Sequence, residues 1–139
     1  MIEFHYETDF RLENDSNYAD WINRIIASEG GLSKRIDYIF CTDAYLLEMN
    51  RKYLSHDTLT DIITFDYREG KQVGGDIFIS IDRVKDNAQF YNVAWESELL
   101  RVMAHGVLHL FNYKDGSDVE KAEMRAKEEE KIKLFHVEQ

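Results

Sequence analysis

Two histidines on one turn spacing, His105 and His109, followed by Asp115, are the side chains whose types and spacing fit a chemical role. Residues i and i+4 of a helix leave one face from successive turns, so the two imidazoles can point at one ion. A metal site also needs a third protein ligand, and a catalytic one keeps a position open for water. Asp115 supplies that ligand if the chain turns back between Asn112 and Gly116, with Asn112 as the helix break. The expected site is therefore one divalent ion per chain on His105, His109 and Asp115. This donor set suits zinc first, and it suits iron(II) or manganese better than three histidines would. Such an ion lowers the pKa of its bound water to about 7 and offsets charge building on an oxyanion. An anionic third ligand makes that water less acidic, so the activity optimum is expected at higher pH than in an Asp115→His variant.

The helix that must position these groups reads as residues 95–111, in the run WESELLRVMAHGVLHLF. On a helical wheel Glu98, Arg101, His105, His109 and Asn112 fall within roughly 80° of one another, and most other positions are apolar or small. The helix is thus expected to be mostly buried, with a single polar stripe. On spacing alone an HxxxH pair also describes an ordinary half-exposed helix face, and chemistry leaves these two readings even. The zincin pattern of metallopeptidases has a glutamate after its first histidine as general base, whereas here that place is Gly106, which weakens a peptidase reading. Glu98 sits roughly 10 Å along the axis from His105, too far for a base, and is expected to make a supporting or surface contact. Arg101, one turn before His105, either meets a phosphate oxygen as a catalytic group or forms a structural ion pair, for example with Glu98.

Three segments carry a resemblance. HGVLHLFNYKD resembles the signature H-G-x-L-H-L-x-G-Y-D-H of the YbeY family of metal-dependent endoribonucleases, with His105, Gly106, Leu108, His109, Leu110 and Tyr113 matching. The family's third metal-binding histidine falls on Asp115, and its Gly and Asp fall on Asn112 and Lys114. MNRKYLSHDTLTDIITF, residues 49–65, resembles the family's LNxxYRxxDxPTDVLSF through Asn50, Tyr53, Asp57, Thr60, Asp61, Ile62 and Phe65. GGDIFIS, residues 74–80, resembles its GDIxIS strand. The resemblance implies a metal-dependent endoribonuclease of ribosomal RNA maturation, with the ribosome and its assembly proteins as partners. The family's arginine after the motif tyrosine falls on Leu54, so that role does not carry over, and Arg51 and Lys52 lie close by. Lys52 and His56 are the expected substrate contacts.

At 139 residues, 44% apolar and 32% charged, the chain reads as one globular domain. A net charge of -10 is awkward for a nucleic-acid enzyme, which usually offers a basic footprint. The excess lies at the ends, since residues 34–114 carry twelve acids and ten bases, so RNA contact is expected from that middle. The lone Cys41 reads as a buried small hydrophobe and fits a reducing compartment. No signal peptide, lipidation motif or apolar run of about 18 residues is evident, so a cytoplasmic protein without membrane association is expected.

The remaining elements read as follows. Strands are expected at 2–7, 35–42, 61–68 and 73–81, the last two joined through Gly70. Helices are expected at 17–28 capped by Asp15 or Ser16, through about Tyr53 with Asp43 as its cap, and from Asp82 to about Tyr91. A charged helix at 118–133 reads as a solvated face, with His136 beyond it in an irrelevant tail. His5 reads as a strand-surface histidine, and Asp57, Asp61 and Asp76 as turn-capping carboxylates. The sum is an α+β fold, a mixed sheet of about four strands packed with about five helices, one of them the histidine helix. Three functions remain open: a single-strand endoribonuclease, a non-catalytic ribosome-assembly factor with a structural metal, and a metal hydrolase of another substrate.

Overall fold

The computed structural model describes residues 1–55 and 59–136. Among them β1 (Ile2–Tyr6), α1 (Asp15–Ser28), β2 (Leu32–Cys41), α2 (Asp43–Leu54), β3 (Ile62–Asp66), β4 (Gln72–Ser80), α3 (Ile81–Tyr91), α4 (Trp95–Leu110) and α5 (Asp118–His136) follow in order. The α+β expectation holds. The sheet order is β1-β2-β4-β3, with β1 and β4 parallel to β2 and β3 antiparallel to β4. Parallel neighbours need a crossover, and α1 provides the one between β1 and β2. The antiparallel pair needs only a hairpin, turned at Gly70, whose φ of 60° favours glycine.

Side chains alternate across the sheet, and the two faces are unequal. On one face Ile36, Tyr38, Phe40, Ile77 and Ile79 meet Trp21, Ile22, Ile25 and Ile26 of α1 and the long apolar flank of α4. On the other, Cys41, Leu46 and Ile63 form a smaller cluster with Met49, Phe65 and Phe78. Burial pushes the Cys41 thiol up to about 12, so it behaves as the inert hydrophobe expected. Ten of the sixteen α4 residues are buried, which leaves only a narrow polar strip on that helix.

Gly106 shows how closely α4 lies on the sheet. A Cβ there would sit 2.8 Å from Ile77 Cγ2 and 3.0 Å from Ile62 Cδ1, nearer than two carbons pack. The glycine costs about 1 kcal/mol of helix propensity but lets His105 and His109 be presented at a fixed height above β3 and β4. A glutamate in this position, as in a peptidase, has no room.

Several element ends differ from expectation because the caps are elsewhere. Thr42, not Asp43, caps α2, its Oγ1 accepting from Tyr45 N, and Asp43 instead takes the Ser80 hydroxyl at 2.7 Å. Ser80 caps α3, which starts at Ile81, one residue before the expected Asp82. Helix α1 begins after Asn14 in the left-handed region with no side-chain cap. Strand β2 starts three residues early, because Leu32 and Ser33 pair with Gln72 and Val73 before a register shift. Helix α5 runs to His136, since Ile132 and Phe135 pack against the main core.

Candidate metal centre and its groove

Helix α4 ends where the sequence breaks it. Asn112 takes φ of 70°, a left-handed turn that asparagine tolerates, and Tyr113 N reaches back to Leu108 O. A capping box then starts α5: Glu120 accepts from the backbone of Ser117 at 3.0 Å and Gly116 at 3.2 Å, while Ser117 Oγ accepts from Glu120 N. Held at both ends, the short turn returns Asp115 to the two histidines.

The Nε2 atoms of His105 and His109 face each other at 2.9 Å, with Asp115 Oδ2 at 3.2 Å and 3.6 Å from them. One donor atom from each of the three lies within 4.8 Å of the others. Both outer ring nitrogens are committed. His109 Nδ1 donates to Tyr113 O at 2.9 Å, and His105 Nδ1 donates to Glu128 Oε2 at 2.6 Å. With the protons on Nδ1, two imidazole lone pairs and a carboxylate oxygen converge on one point, which only a proton or a cation can satisfy. Tetrahedral zinc with bonds of about 2.05 Å would set the nitrogens about 3.3 Å apart, so a small relaxation admits it. The residues fit a divalent ion.

The electrostatics around the three donors are divided. Burial opposes charge on His105, but Glu128, Asp115 and Asp61 outweigh it and raise its pKa. For His109, burial and the neighbouring His105 together lower it, with Asp115 a partial offset.

These donors line a groove of about 1190 Å³ between β3, the end of α3, α4 and α5. Asp61, Glu98, Arg101 and Glu128 share its wall. Asp61, read as a turn-capping carboxylate, also lines the groove, and burial raises its pKa against the pull of His105 and of a backbone hydrogen bond within its own residue. Its place inside the second matched segment was the available signal. Asp76, also expected at a turn, accepts from Tyr67 OH on the sheet at 3.2 Å, while His5 lies on the strand surface against Asp37 as expected. Glu98 is 6% exposed, and burial raises its pKa.

Arg101 is held by α5. Its Nη1 meets Glu128 Oε1 at 3.1 Å and its Nη2 meets Glu129 Oε1 at 2.7 Å, so the ion pair is with these residues and not Glu98. The expectation that the α5 charges form only a solvated face is corrected here: Met124, Glu128 and Lys131, spaced for one helical face, are all buried. Leu54 lines the groove, whereas Lys52 stands exposed outside that lining with its Nζ 5.4 Å from the Tyr53 ring centre. His56 and Asp57 lie outside the described residues.

A profile for the endoribonuclease YbeY matches residues 3–136. The endoribonuclease YbeY of Flavobacterium johnsoniae is 55% identical over 139 residues, all of both chains. That of Flavobacterium psychrophilum is 54% identical over all of this chain and 99% of its own. In three dimensions the solution structure of TM1509 from Thermotoga maritima is similar, with a TM-score of 0.65 and 25% identity over 97% of this chain and 89% of that one. Matches of this extent place the chain in the YbeY endoribonuclease family.

Proposed function

We propose that this chain is a metal-dependent endoribonuclease that cleaves single-stranded segments of ribosomal RNA during maturation, using one zinc ion held by His105, His109 and Asp115. The observation that carries it is the convergence of three acceptor atoms with both Nδ1 positions already committed. The family is metal-dependent, and a bound ion would supply an acidified water and positive charge for the phosphoryl oxygens. The chain's own groups do the rest. Asp61, facing the same groove, takes or returns the proton exchanged at the scissile phosphate. Arg101 adds positive charge to the wall, although its guanidinium must share itself with Glu128 and Glu129. Lys52, outside the groove lining, and His56 contact the RNA.

A structural metal closes with four protein ligands, whereas these three stand at an open groove with the Asp115 side chain 47% exposed, which favours the enzyme over the assembly factor. No described helix is long and apolar enough to cross a membrane, and the reading places the protein in the cytoplasm with ribosomes and their assembly proteins. The test is cleavage of a single-stranded rRNA precursor by untagged wild type and His109→Ala, with metal content measured alongside. About one metal per chain and a loss of about 10²–10³-fold in cleavage rate are expected. Equal cleavage by both proteins would mean a contaminating nuclease and end the proposal.

A further inference from the structure

We infer that Glu128 is a positioning residue of the metal site, and that Arg101 holds it in place. The inference rests on the reading of His105, His109 and Asp115 as metal ligands. Glu128 comes from α5, an element outside all three segments that mark the site in the sequence. It is 5% exposed, and its two oxygens are divided between two partners. Oε2 accepts from His105 Nδ1 at 2.6 Å, and Oε1 accepts from Arg101 Nη1 at 3.1 Å.

The geometry decides what this does. An imidazole binds a metal through one nitrogen only when its proton is on the other, and the partner of that other nitrogen sets both the tautomer and the ring angle. Glu128 keeps the proton on Nδ1 and turns Nε2 of His105 toward His109 and Asp115. His109 gets the same service from a backbone carbonyl, that of Tyr113, within its own turn. For His105 a side chain from α5 takes that place, while its Nε2 faces Asp115 in the turn. A free carboxylate on a long stem would sample other rotamers. The second oxygen is pinned by Arg101, itself anchored by Glu129 at 2.7 Å, so the orienting group is ordered before any ion arrives. Arg101 thereby acts on the metal site through Glu128.

The test uses the full chain and measures zinc affinity by chelator competition, with the cobalt(II) absorption spectrum as a report of ligand geometry. Glu128→Leu should weaken zinc binding about 10–100-fold and alter the cobalt bands. Glu128→Gln keeps one acceptor where two are needed, so it should fall between wild type and Glu128→Leu. Arg101→Met leaves the carboxylate but frees it, and should weaken zinc by about threefold, less than the loss of the orienting carboxylate itself. If Glu128→Leu does not fold, the Gln and Met variants still decide. Wild-type affinity and an unchanged cobalt spectrum in Glu128→Gln and Arg101→Met would overturn the inference while leaving the metal site standing. A wild type that took up neither zinc nor cobalt would overturn both.

Discussion

Glu128 and Lys131 stand three residues apart on one face of α5, both buried, and they are buried for different ends. Glu128 turns toward α4 and meets a metal-site histidine. Lys131 turns toward the end of α1, where its three N–H groups reach Glu29 at 2.7 Å, Glu130 at 2.7 Å and Ser28 Oγ at 2.9 Å. Its backbone carbonyl also accepts the Trp21 indole at 2.7 Å. Every proton of the ammonium has an acceptor, so the burial is tolerated, but nothing reactive lies within this network. The contrast teaches that a buried charge signals function only when its partner does.

The largest way to sharpen this contrast is to remove each charge and read both properties. Lys131→Ala leaves Glu29 half-satisfied by Lys127 and Tyr113, and should cost about 3 kcal/mol of stability, the low end for breaking a buried pair. Its zinc affinity should stay within about twofold of wild type. Replacing both partners, as Glu29→Leu with Lys131→Met, should recover most of the loss, because the penalty is the orphaned charge. Urea unfolding of the two single variants and the double variant measures it. A Lys131→Ala protein as stable as wild type would break the distinction from the structural side.

How much of the molecule was legible in the sequence follows the same line. The pair His105 and His109, the break at Asn112 and the return of Asp115 could be read because spacing, turn chemistry and family resemblance agreed on them. The sheet and its helices could be read from apolar periodicity, with errors at the ends, where Thr42 took the capping role expected of Asp43 and α3 started at Ile81 rather than Asp82. Helix α5 could not be read correctly. Its buried stripe runs Met124, Glu128, Lys131, and a hydropathy pattern scores two of those three as solvent-facing. Only the partners brought by α1 and α4, distant in sequence, make those charges compatible with burial. The place of Asp61 in the groove went unread for a milder reason, since a loop aspartate before a strand is ordinarily a turn residue.

A smaller effect separates the two networks by pH. Burial works against the charge on Glu29, but Lys131, Tyr113 and Lys127 outweigh it and hold its carboxyl below the usual value near 4.5. The unfolded chain therefore takes up this proton first as pH falls. The stabilisation is full above the ordinary carboxylate range and is lost as pH drops through it to the lower folded value. Urea midpoints measured downward from about pH 6 should fall, and they should fall less steeply in Glu29→Gln, which has no proton to take up. Parallel slopes in the two proteins would assign the acid sensitivity to other carboxylates.

The smallest effect tests whether the two networks are separate at all, because Tyr113 touches both. Its carbonyl accepts from His109 Nδ1 at 2.9 Å, and its hydroxyl donates to Glu29 at 2.8 Å. Tyr113→Phe keeps the first contact and removes the hydroxyl, with its bond to Glu29 and its contact with Lys127. One hydrogen bond to a charged acceptor that keeps two ammonium partners should be worth about 1 kcal/mol of stability. The carbonyl stays because the left-handed turn at Asn112 and the bond from Tyr113 N to Leu108 O fix the backbone, not the ring. Zinc affinity in this variant should then lie within about twofold of wild type, while the unfolding midpoint moves. A tenfold loss of zinc affinity would mean that the Glu29 network tensions the turn carrying Asp115, and the structural charge would have to be counted as part of the metal centre after all.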